Sequence, residues 1–370
     1  MWAGPVSSPI RRPPVLIIDV TPRSTSWRRL AGAERLEGVA LVPEDVFPSI
    51  ERRLGGLRDA GPVGYLLHHG GELVTKPVTA VTAESLLAVQ KCGRFLPEHN
   101  DALHKVIDLG LAALPGAAHL LLCDTAFFRD LPEHVHTYAV PLSLKDPSLR
   151  RYGSDGLCHE WVWETLKRRT PALSRVVSVL IGENTNVAAI RDGRPVETTV
   201  GFTSVEGISS AHGCGDIDPT IIFQVQATGL SFEEISRLLT RQSGFSGFLG
   251  RETSIAEIAA DGGRDPELAR ALDVFLYQIE KYIGAFVSVL GGVDAVAFVS
   301  EDMAAYGDLV RPLAAGLEYS GARIAPEAAE ERGVRRLSTP DSPVAVLGLA
   351  YDKWGDLGRR AADHREVPAS

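Results

Sequence analysis

HLLLCDTAFFRDLPE, His119 to Glu133, reads as an apolar strand, His119 to Cys123, running directly into a polar turn that opens with Asp124 and Thr125. In open α/β sheets, ligands bind in the crevice beyond the carboxyl ends of the strands. The stretch therefore delivers a carboxylate to a place where a catalytic base or a metal-associated acid is commonly found. An aspartate there is equally suited to capping a turn or a following helix. What decides the fold is whether such strands recur along the chain.

They do recur. VLIIDV, Val15 to Val20, is a continuous apolar run ending in an acid, and the turn formers of TPRSTS lead into a returning strand through Trp27. Val63 to Leu67 is a further apolar strand, and it runs into His68, His69, Gly70 and Gly71. Paired glycines let backbone N–H groups approach a ligand, and they make plain turns equally well. The two histidines read either as pocket residues or as buried, hydrogen-bonded core. From Thr82 the pattern is helical and closes at Gly93. FLPEHNDALHKVIDLGLAAL places His99 and Asn100 at a helix start, with Leu103, Val106 and Ile107 as one buried face and His104 on the surface. RYGSDGLCHEWVWETLKRR gives a glycine-containing turn and a helix whose Trp161, Trp163 and Leu166 read as core, as does Tyr152.

At Ser174 the plan restarts: RVVSVLIGENTN, then VAAIRDGRPVETTV with Arg191 to Arg194 as a hairpin turn, repeating residues 15 to 30. Such an echo predicts an α/β protein of two domains of similar topology facing each other across a cleft. The loop GFTSVEGISSAHGCGDIDP, Gly201 to Pro219, is long, glycine-rich and acidic, a composition usual for functional loops. Ser231 to Gln242 reads as an amphipathic helix opened by a capping box, and RQSGFSGFLG as a glycine-rich loop after it. Asp265 and Pro266 start the longest helix, to about Leu290, with Leu268, Leu272, Phe275, Leu276, Ile279, Ile283, Phe286 and Leu290 as its apolar stripe. A strand from Asp294 to Ser300, a helix from Asp308 to Tyr319, a strand from Pro343 to Tyr351 and a short helix near Asp356 to Asp363 complete the pattern.

A chain of 370 residues is long enough for two domains, each with its own core. The expected division is a disordered leader over 1–14, an N-terminal domain of 15–125 plus 350–364, a C-terminal domain of 126–349, and a frayed tail over 365–370. A net charge of −9 without clustered Lys and Arg argues against nucleic acid as a partner. No apolar run approaches the roughly 20 residues needed to span a bilayer, so the chain reads as soluble with no membrane partner. Cys92, Cys123, Cys158 and Cys214 lack metal or disulfide spacing and fit reduced, buried thiols in a cytoplasmic protein.

The order of these pieces resembles the acetate kinase family, of the actin and hexokinase type of fold, from about Val15 to Arg360. CDTAFFRDLPE is similar to the family's DTAFH..MP motif and places Asp124 on its catalytic acid. HHGGE matches the end of HR.VHGG through His69, Gly70 and Gly71; LPEHN resembles PLHN through His99 and Asn100. RYGSDGLCH resembles YG.HG.SH through Tyr152, Gly153, Gly156 and His159. ETTVGFTSVEG followed by CGDIDP resembles DTSMG.TPLEG and SGD.DP, covering Glu197, Thr198, Gly201, Thr203, Glu206, Gly207, Gly215, Asp216, Asp218 and Pro219.

The resemblance implies two ribonuclease-H-like, actin-type domains with mixed sheets and flanking helices. It also implies transfer of the γ-phosphoryl group of ATP, with Mg2+, to a small carboxylate, giving an acyl phosphate, in a homodimer formed through the second domain. Catalysis falls on Asp124, His99 and Asn100, and the substrate pocket on His69, Gly70 and Gly71, joined by the polar His212 and Asp155. Cofactor contacts fall on Asp19, Gly182, Asn184, Thr185, Glu206 and Asp216, and the metal on Asp19 and Asp352. The departures sit where phosphoryl transfer needs cations and open backbone. The arginine of HR.VHGG is Leu66, that of GTRSGD is Gly213, HLGNG.S has become LIGENTN with an added Glu183, GGIGEN has become FVSEDMAAYG, and the TNEE-type segment reads AYDKW. The lysine closing the first segment has no clear counterpart, although Arg23, Arg28 and Arg29 lie near. An arginine gripping a phosphate by two bonds is not replaced by Leu or Gly without losing a charge-assisted pair. Three readings follow: a carboxylate or acyl phosphotransferase with a changed, non-acetate substrate; a catalytically inactive homologue that binds or regulates; or a remodelled enzyme using Asp124 and His99 for other acid–base work.

Overall fold

The computed structural model describes residues 13–21, 23–32, 34–57, 61–93, 97–144, 146–331 and 334–364. The expected leader, up to residue 12, and the expected tail, 365–370, lie outside them, as does Leu96 of the LPEHN stretch. The chain divides into two compact units, Met1–Asp124 with Lys353–Ser370, and Thr125–Asp352.

The first unit holds β1 (Val15–Val20), β2 (Thr25–Ala31), β3 (Glu34–Ala40), α1 (Val46–Leu54), β4 (Val63–Leu67), β5 (Val78–Ala80), α2 (Ala83–Cys92), α3 (Pro97–Ala113) and β6 (His119–Cys123). The second holds α4 (Glu133–His136), α5 (Gly156–Arg169), β7 (Arg175–Leu180), β8 (Asn186–Arg191), β9 (Arg194–Thr198), α6 (Pro219–Gln226), α7 (Phe232–Arg241), α8 (Gly244–Leu249), α9 (Ile255–Asp261), α10 (Pro266–Leu290), β10 (Ala295–Ser300), α11 (Met303–Ala315), β11 (Ile324–Glu331), β12 (Val334–Ser338) and β13 (Ala345–Ala350). The chain then returns to the first unit as α12 (Lys353–Asp363).

The first sheet has the order β3-β2-β1-β4-β6-β5, and the second β11-β12-β13-β10-β7-β8-β9. In each, three antiparallel strands open the unit and two later strands run parallel to the first of them: β4 and β6 beside β1, β10 and β13 beside β7. This is the ribonuclease-H-like plan, twice. The parallel strands are buried on both faces, which is why they read as unbroken apolar runs and not as alternating ones.

Local chemistry sets the element ends. Asp265 accepts from the backbone N–H groups of Glu267 and Leu268, Pro266 takes the first helical position, and Gly291 ends α10 with a φ of 66°. Between those caps Leu268, Ala271, Phe275, Ile279, Ile283, Phe286 and Leu290 are buried at three- and four-residue spacing. Each such large side chain contributes roughly 1.5–3 kcal/mol of transfer free energy. Leu272 and Leu276 of the expected stripe flank it, partly buried.

Several expectations are corrected. RQSGFSGFLG is not a loop: α8 forms within it because Phe245 buries edge-on against Phe275, while Gly244 supplies the φ of 62° needed to enter. The helix expected from Asp308 begins at Met303, since Asp302 caps it by accepting from the N–H groups of Ala304 and Ala305, and it ends at Ala315 before a 3-10 turn over Glu318–Ser320. The helix expected from Asp356 begins at Lys353. Trp27 is core, donating to Ser49 Oγ at 2.9 Å, and Tyr152 is buried, but Trp161 and Trp163 are only partly covered. Cys214 is half-buried, unlike the other three cysteines.

Candidate functional site

The parallel strands of the first unit bring its chemistry to one end of the sheet. Asp19 on β1 is in register with Leu66 on β4, and Leu66 with Leu122 on β6. Asp19 therefore lies near the carboxyl ends of β4 and β6, after which the chain continues as His68–His69–Gly70–Gly71 and as Asp124–Thr125. Asp124 is 5% exposed and opens the 3-10 stretch Asp124–Asp130, so its location is the one the sequence predicts.

The centre of this end is a buried charge cluster. Asp19 Oδ1 meets His68 Nε2 at 2.8 Å, and Asp19 Oδ2 accepts from Lys353 Nζ at 2.9 Å. Burial opposes ionisation of Asp19, but the charges of His68 and Lys353 and their hydrogen bonds outweigh it and hold the carboxyl well below the usual carboxylate range. For His68, burial works against the proton while Asp19, and more weakly Asp124, favour it; the net shift is upward. His99 packs edge-on to His68 with ring centres 5.4 Å apart. Its own burial, then the charge of His68, push its pKa down to about 4, so at neutral pH it is an uncharged hydrogen-bonding ring.

Around this cluster the turn after β4 is tightly packed. His69 is buried and its Nδ1 accepts from the Gly71 N–H at 3.2 Å. A Cβ at Gly70 would lie 2.4 Å from Cys123 Sγ and 2.6 Å from the Val74 carbonyl, and Gly71 adopts a φ of 55°. Both glycines are required by local packing and geometry. Asn100 is 1% exposed and donates through Nδ2 to the Val89 carbonyl at 3.3 Å, tying α3 to α2; its Oδ1 has no partner among the described residues.

The second unit holds the other expected residues in separate arrangements. Glu206 pairs with Arg151 Nη2 at 2.7 Å and accepts a hydrogen bond from the Tyr138 hydroxyl. Burial, then this bond and the glutamate's charge, push the tyrosine pKa up. Asp216 accepts from Gly207 N at 2.9 Å and from the Tyr282 hydroxyl, with Lys281 Nζ at 3.7 Å. Both acids thus brace the 201–219 loop, while Asp218 caps α6 through Thr220 N. Asp155 sits at a φ of 54° at the start of α5, where its Oδ2 accepts from Asn186 Nδ2 at 2.7 Å. Asn186 Oδ1 in turn meets His159 Nε2 at 2.6 Å, and His159 Nδ1 meets Ser178 Oγ at 2.8 Å. Gly182 and Thr185 close a turn on themselves, with Thr185 Oγ1 donating to the Gly182 carbonyl at 2.9 Å; Asn184 is exposed. Glu183 accepts from Tyr306 Oη at 2.9 Å and from Ile255 N, so its charge is engaged by α11 and the start of α9. His212 Nε2 lies 3.2 Å from Glu252 Oε1, and Gly213 N donates to Ser210 Oγ at 2.8 Å. Asp352 is exposed.

Each oxygen of Asp19 already faces a nitrogen of a basic side chain, so a metal ion bound there would compete with His68 and Lys353. Among the described residues no three His, Cys, Asp or Glu side chains are grouped to hold a metal. Sequence reasoning missed Lys353, Arg151, Tyr138 and Tyr282. The partner of Lys353 lies 334 positions away, and no local pattern encodes such a contact.

Residues 28–353 match the model of the acetokinase family. Among characterised proteins, the acetate kinase of Bacteroides fragilis is 33% identical over 327 residues, covering 86% of this chain and 82% of that protein. The acetate kinase of Coprothermobacter proteolyticus is 34% identical over 303 residues, covering 79% and 75%. The crystal structure of Porphyromonas gingivalis acetate kinase superposes with a TM-score of 0.80 at 23% identity, over 94% of this chain and 98% of that one. A propionate kinase from Francisella tularensis gives 0.82 at 19% identity with the same coverages. At those identities the two structures establish the fold.

Proposed function

The chain belongs to the acetokinase family, and we propose that it is a divergent phosphotransferase moving a phosphoryl group between ATP and a carboxylate other than acetate. The observation that carries this reading is Asp124: a buried carboxylate at the end of a parallel strand, in the same unit as a cationic cluster whose His68 feels its charge. Phosphoryl transfer asks a protein mainly to position its reactants and neutralise charge. Asp124 is assigned the orienting acid, and His99 acts as a neutral hydrogen-bond partner and not as a cation. His69, Gly70 and Gly71 shape the acceptor pocket. Asn100 supports that pocket by fixing α3 on α2.

The changed acceptor is supported by Leu66. It is buried, on the same face of the sheet as Asp19, where the family pattern carries an arginine. A methyl-lined wall there favours a different acceptor from one gripped by a guanidinium. His212 and Asp155 are assigned to the acceptor side in the second unit, and Gly182, Asn184 and Thr185, with the loop braced by Glu206 and Asp216, to the nucleotide side. Mg2+ is the ion the family implies; no step is assigned to it at Asp19. Dimerisation through the second unit is supported by exposed Phe223, Phe232, Phe248, Val274 and Tyr277 on α6, α7, α8 and α10.

The test is steady-state phosphorylation of a panel of short, branched and hydroxylated carboxylates, and of acyl phosphates in reverse. Turnover with a non-acetate acceptor that falls at least about 100-fold in Asp124→Asn is expected, the scale of a positioned catalytic group. No turnover, together with no calorimetric binding of Mg-ATP, would instead favour the binding or regulatory homologue.

A further inference from the structure

The family pattern places an arginine at Leu66, yet the first unit does not lack positive charge at that end of its sheet. Paired residues of neighbouring parallel strands project their side chains to the same face, so Asp19 and Leu66 share a face, and His68 lies two residues farther along that strand's course. The Asp19 carboxylate, on the face it shares with position 66, is met by His68 and by Lys353. We propose that Lys353 is an oxyanion-binding residue, supplying from the far end of the sequence the positive charge that Leu66 does not carry and contacting the carboxylate or phosphoryl oxygens of the substrate.

Three features support the assignment. Lys353 is the first residue of α12, and its position is fixed from several directions. α12 packs on β1, β4 and β6; Gly358 lies against Leu30; and Asp356 is pinned by Arg360 at 2.8 Å and Arg359 at 2.6 Å. The adjacent Trp354 lies under the Arg28 guanidinium at 4.7 Å. The ammonium is thus carried on a rigid support, as an anion-binding group must be. Exposure is also graded in the useful direction: the Asp19 side chain is 9% exposed, that of Lys353 23% and that of His68 28%. The two basic side chains are the more accessible members of the cluster. Finally, a buried ion pair is a weak device for stability, since desolvation offsets its Coulomb gain. A lysine held this way makes better sense as a placed charge, and as a point charge it imposes less geometry on the acceptor than a guanidinium fork.

The inference rests on the phosphotransferase reading for the identity of the anion, but binding can be read without turnover. Acetyl phosphate and inorganic phosphate serve as probes in calorimetric titrations of the full chain, comparing wild type with Lys353→Met, Lys353→Arg and the charge-balanced pair Asp19→Asn/Lys353→Met. A charge-assisted hydrogen bond is worth about 1.5–3 kcal/mol, or roughly 10- to 100-fold in Kd. The expected result is a Kd for acetyl phosphate raised at least about tenfold in Lys353→Met and still raised in the double variant, with partial recovery in Lys353→Arg. The double variant removes both members of the Asp19–Lys353 pair, so its thermal midpoint should lie closer to that of wild type than the midpoint of Lys353→Met does. A wild-type Kd in either methionine variant, or no binding of either probe by wild type, overturns the proposal. Turnover is measured on the same samples: a chain that binds through Lys353 but phosphorylates nothing keeps this inference and loses the proposed function.

Discussion

Replacing His159 by leucine tests the buried chain Ser178–His159–Asn186–Asp155. Ser178 and His159 are fully buried and Asn186 is 2% exposed, so none can turn to water for a substitute partner. The network also fixes its own protons. Asn186 Nδ2 donates to the Asp155 carboxylate, which leaves Oδ1 to accept from His159 Nε2–H, and Nδ1 to accept from the Ser178 hydroxyl. Leucine has nearly the right volume but strands one acceptor and one hydroxyl. At about 1–3 kcal/mol for each buried group left unsatisfied, the loss is about 2–6 kcal/mol. For a unit of this size that corresponds to a fall of roughly 10 °C in midpoint. Ser178→Ala, which strands only Nδ1, should cost about 1–2 kcal/mol, and the double variant less than the sum of the two. Burial holds His159 neutral, against weaker opposing effects of Asn186 and Asp155, so its pKa lies below the ordinary histidine value. The unfolded chain then binds more protons than the folded one as pH falls below about 6.5, and stability declines in that direction. Leucine removes this contribution, so wild type should lose stability more steeply than the variant from about pH 6.5 to 5. Chemical denaturation followed by tryptophan fluorescence and circular dichroism gives both readouts. A loss under about 1 kcal/mol, strict additivity with Ser178→Ala, or an unchanged pH slope would refute the reasoning.

Gly70→Ala should lower the stability by at least about 2 kcal/mol, because its Cβ would meet the Val74 carbonyl and Cys123 Sγ, whereas Gly116→Ala, with nothing within 4 Å, should be near neutral; equal effects in thermal denaturation would contradict the packing argument. Phe232→Glu combined with Tyr277→Glu, both on exposed apolar positions of the second unit, should convert the proposed dimer to monomer in sedimentation velocity at micromolar concentration; a dimer that persists would place the interface elsewhere, and a wild-type monomer would refute the proposed dimer.

The most legible parts of this sequence were those whose physics is local. β1, β4, β6, β7 and β10 are fully or almost fully buried, and their unbroken apolar runs announce it. The capping box of α7 and the Asp-Pro start of α10 are written in adjacent residues. By contrast, β3 (ERLEGVA) is largely exposed and β11 (IAPEAAEE) lies at the sheet edge; neither carries a buried stripe to read. α8 escaped because its glycines spell a loop, and only the distant Phe275 makes a short helix worth forming there. The family was legible from ordered motifs, including the aspartate at the end of β6. The charges around that aspartate were not. His68 reads as a pocket residue or as buried, hydrogen-bonded core, but its partner Asp19 lies 49 positions away, and Lys353 stands in the AYDKW segment ahead of the expected last helix with nothing local to mark its contact.

That difference bears on how a divergent enzyme should be judged. Motif bookkeeping asks whether an arginine stands at a given position, and Leu66 and Gly213 both fail. Electrostatics asks only how far a charge lies from where it acts: the energy varies inversely with distance and with the local dielectric, and takes no account of which strand the charge came from. A residue two positions farther along an extended chain is displaced by about 7 Å, a distance comparable to the reach of a lysine side chain. A cation lost from β4 can therefore be replaced from the turn after it and from a helix at the other end of the sequence, provided the backbone brings both to one carboxylate. In the first unit it does, at 2.8 and 2.9 Å. In the second unit Arg151 pairs with Glu206, and His212 lies against Glu252, one basic side chain to each acid. The two units differ in number: two basic side chains, His68 and Lys353, converge on the single carboxylate of Asp19, whereas each acid of those second-unit pairs faces one. An enzyme altered in this way should keep anion affinity better than rate, because one cation can hold a substrate but charge spread over a transferring phosphoryl group needs several.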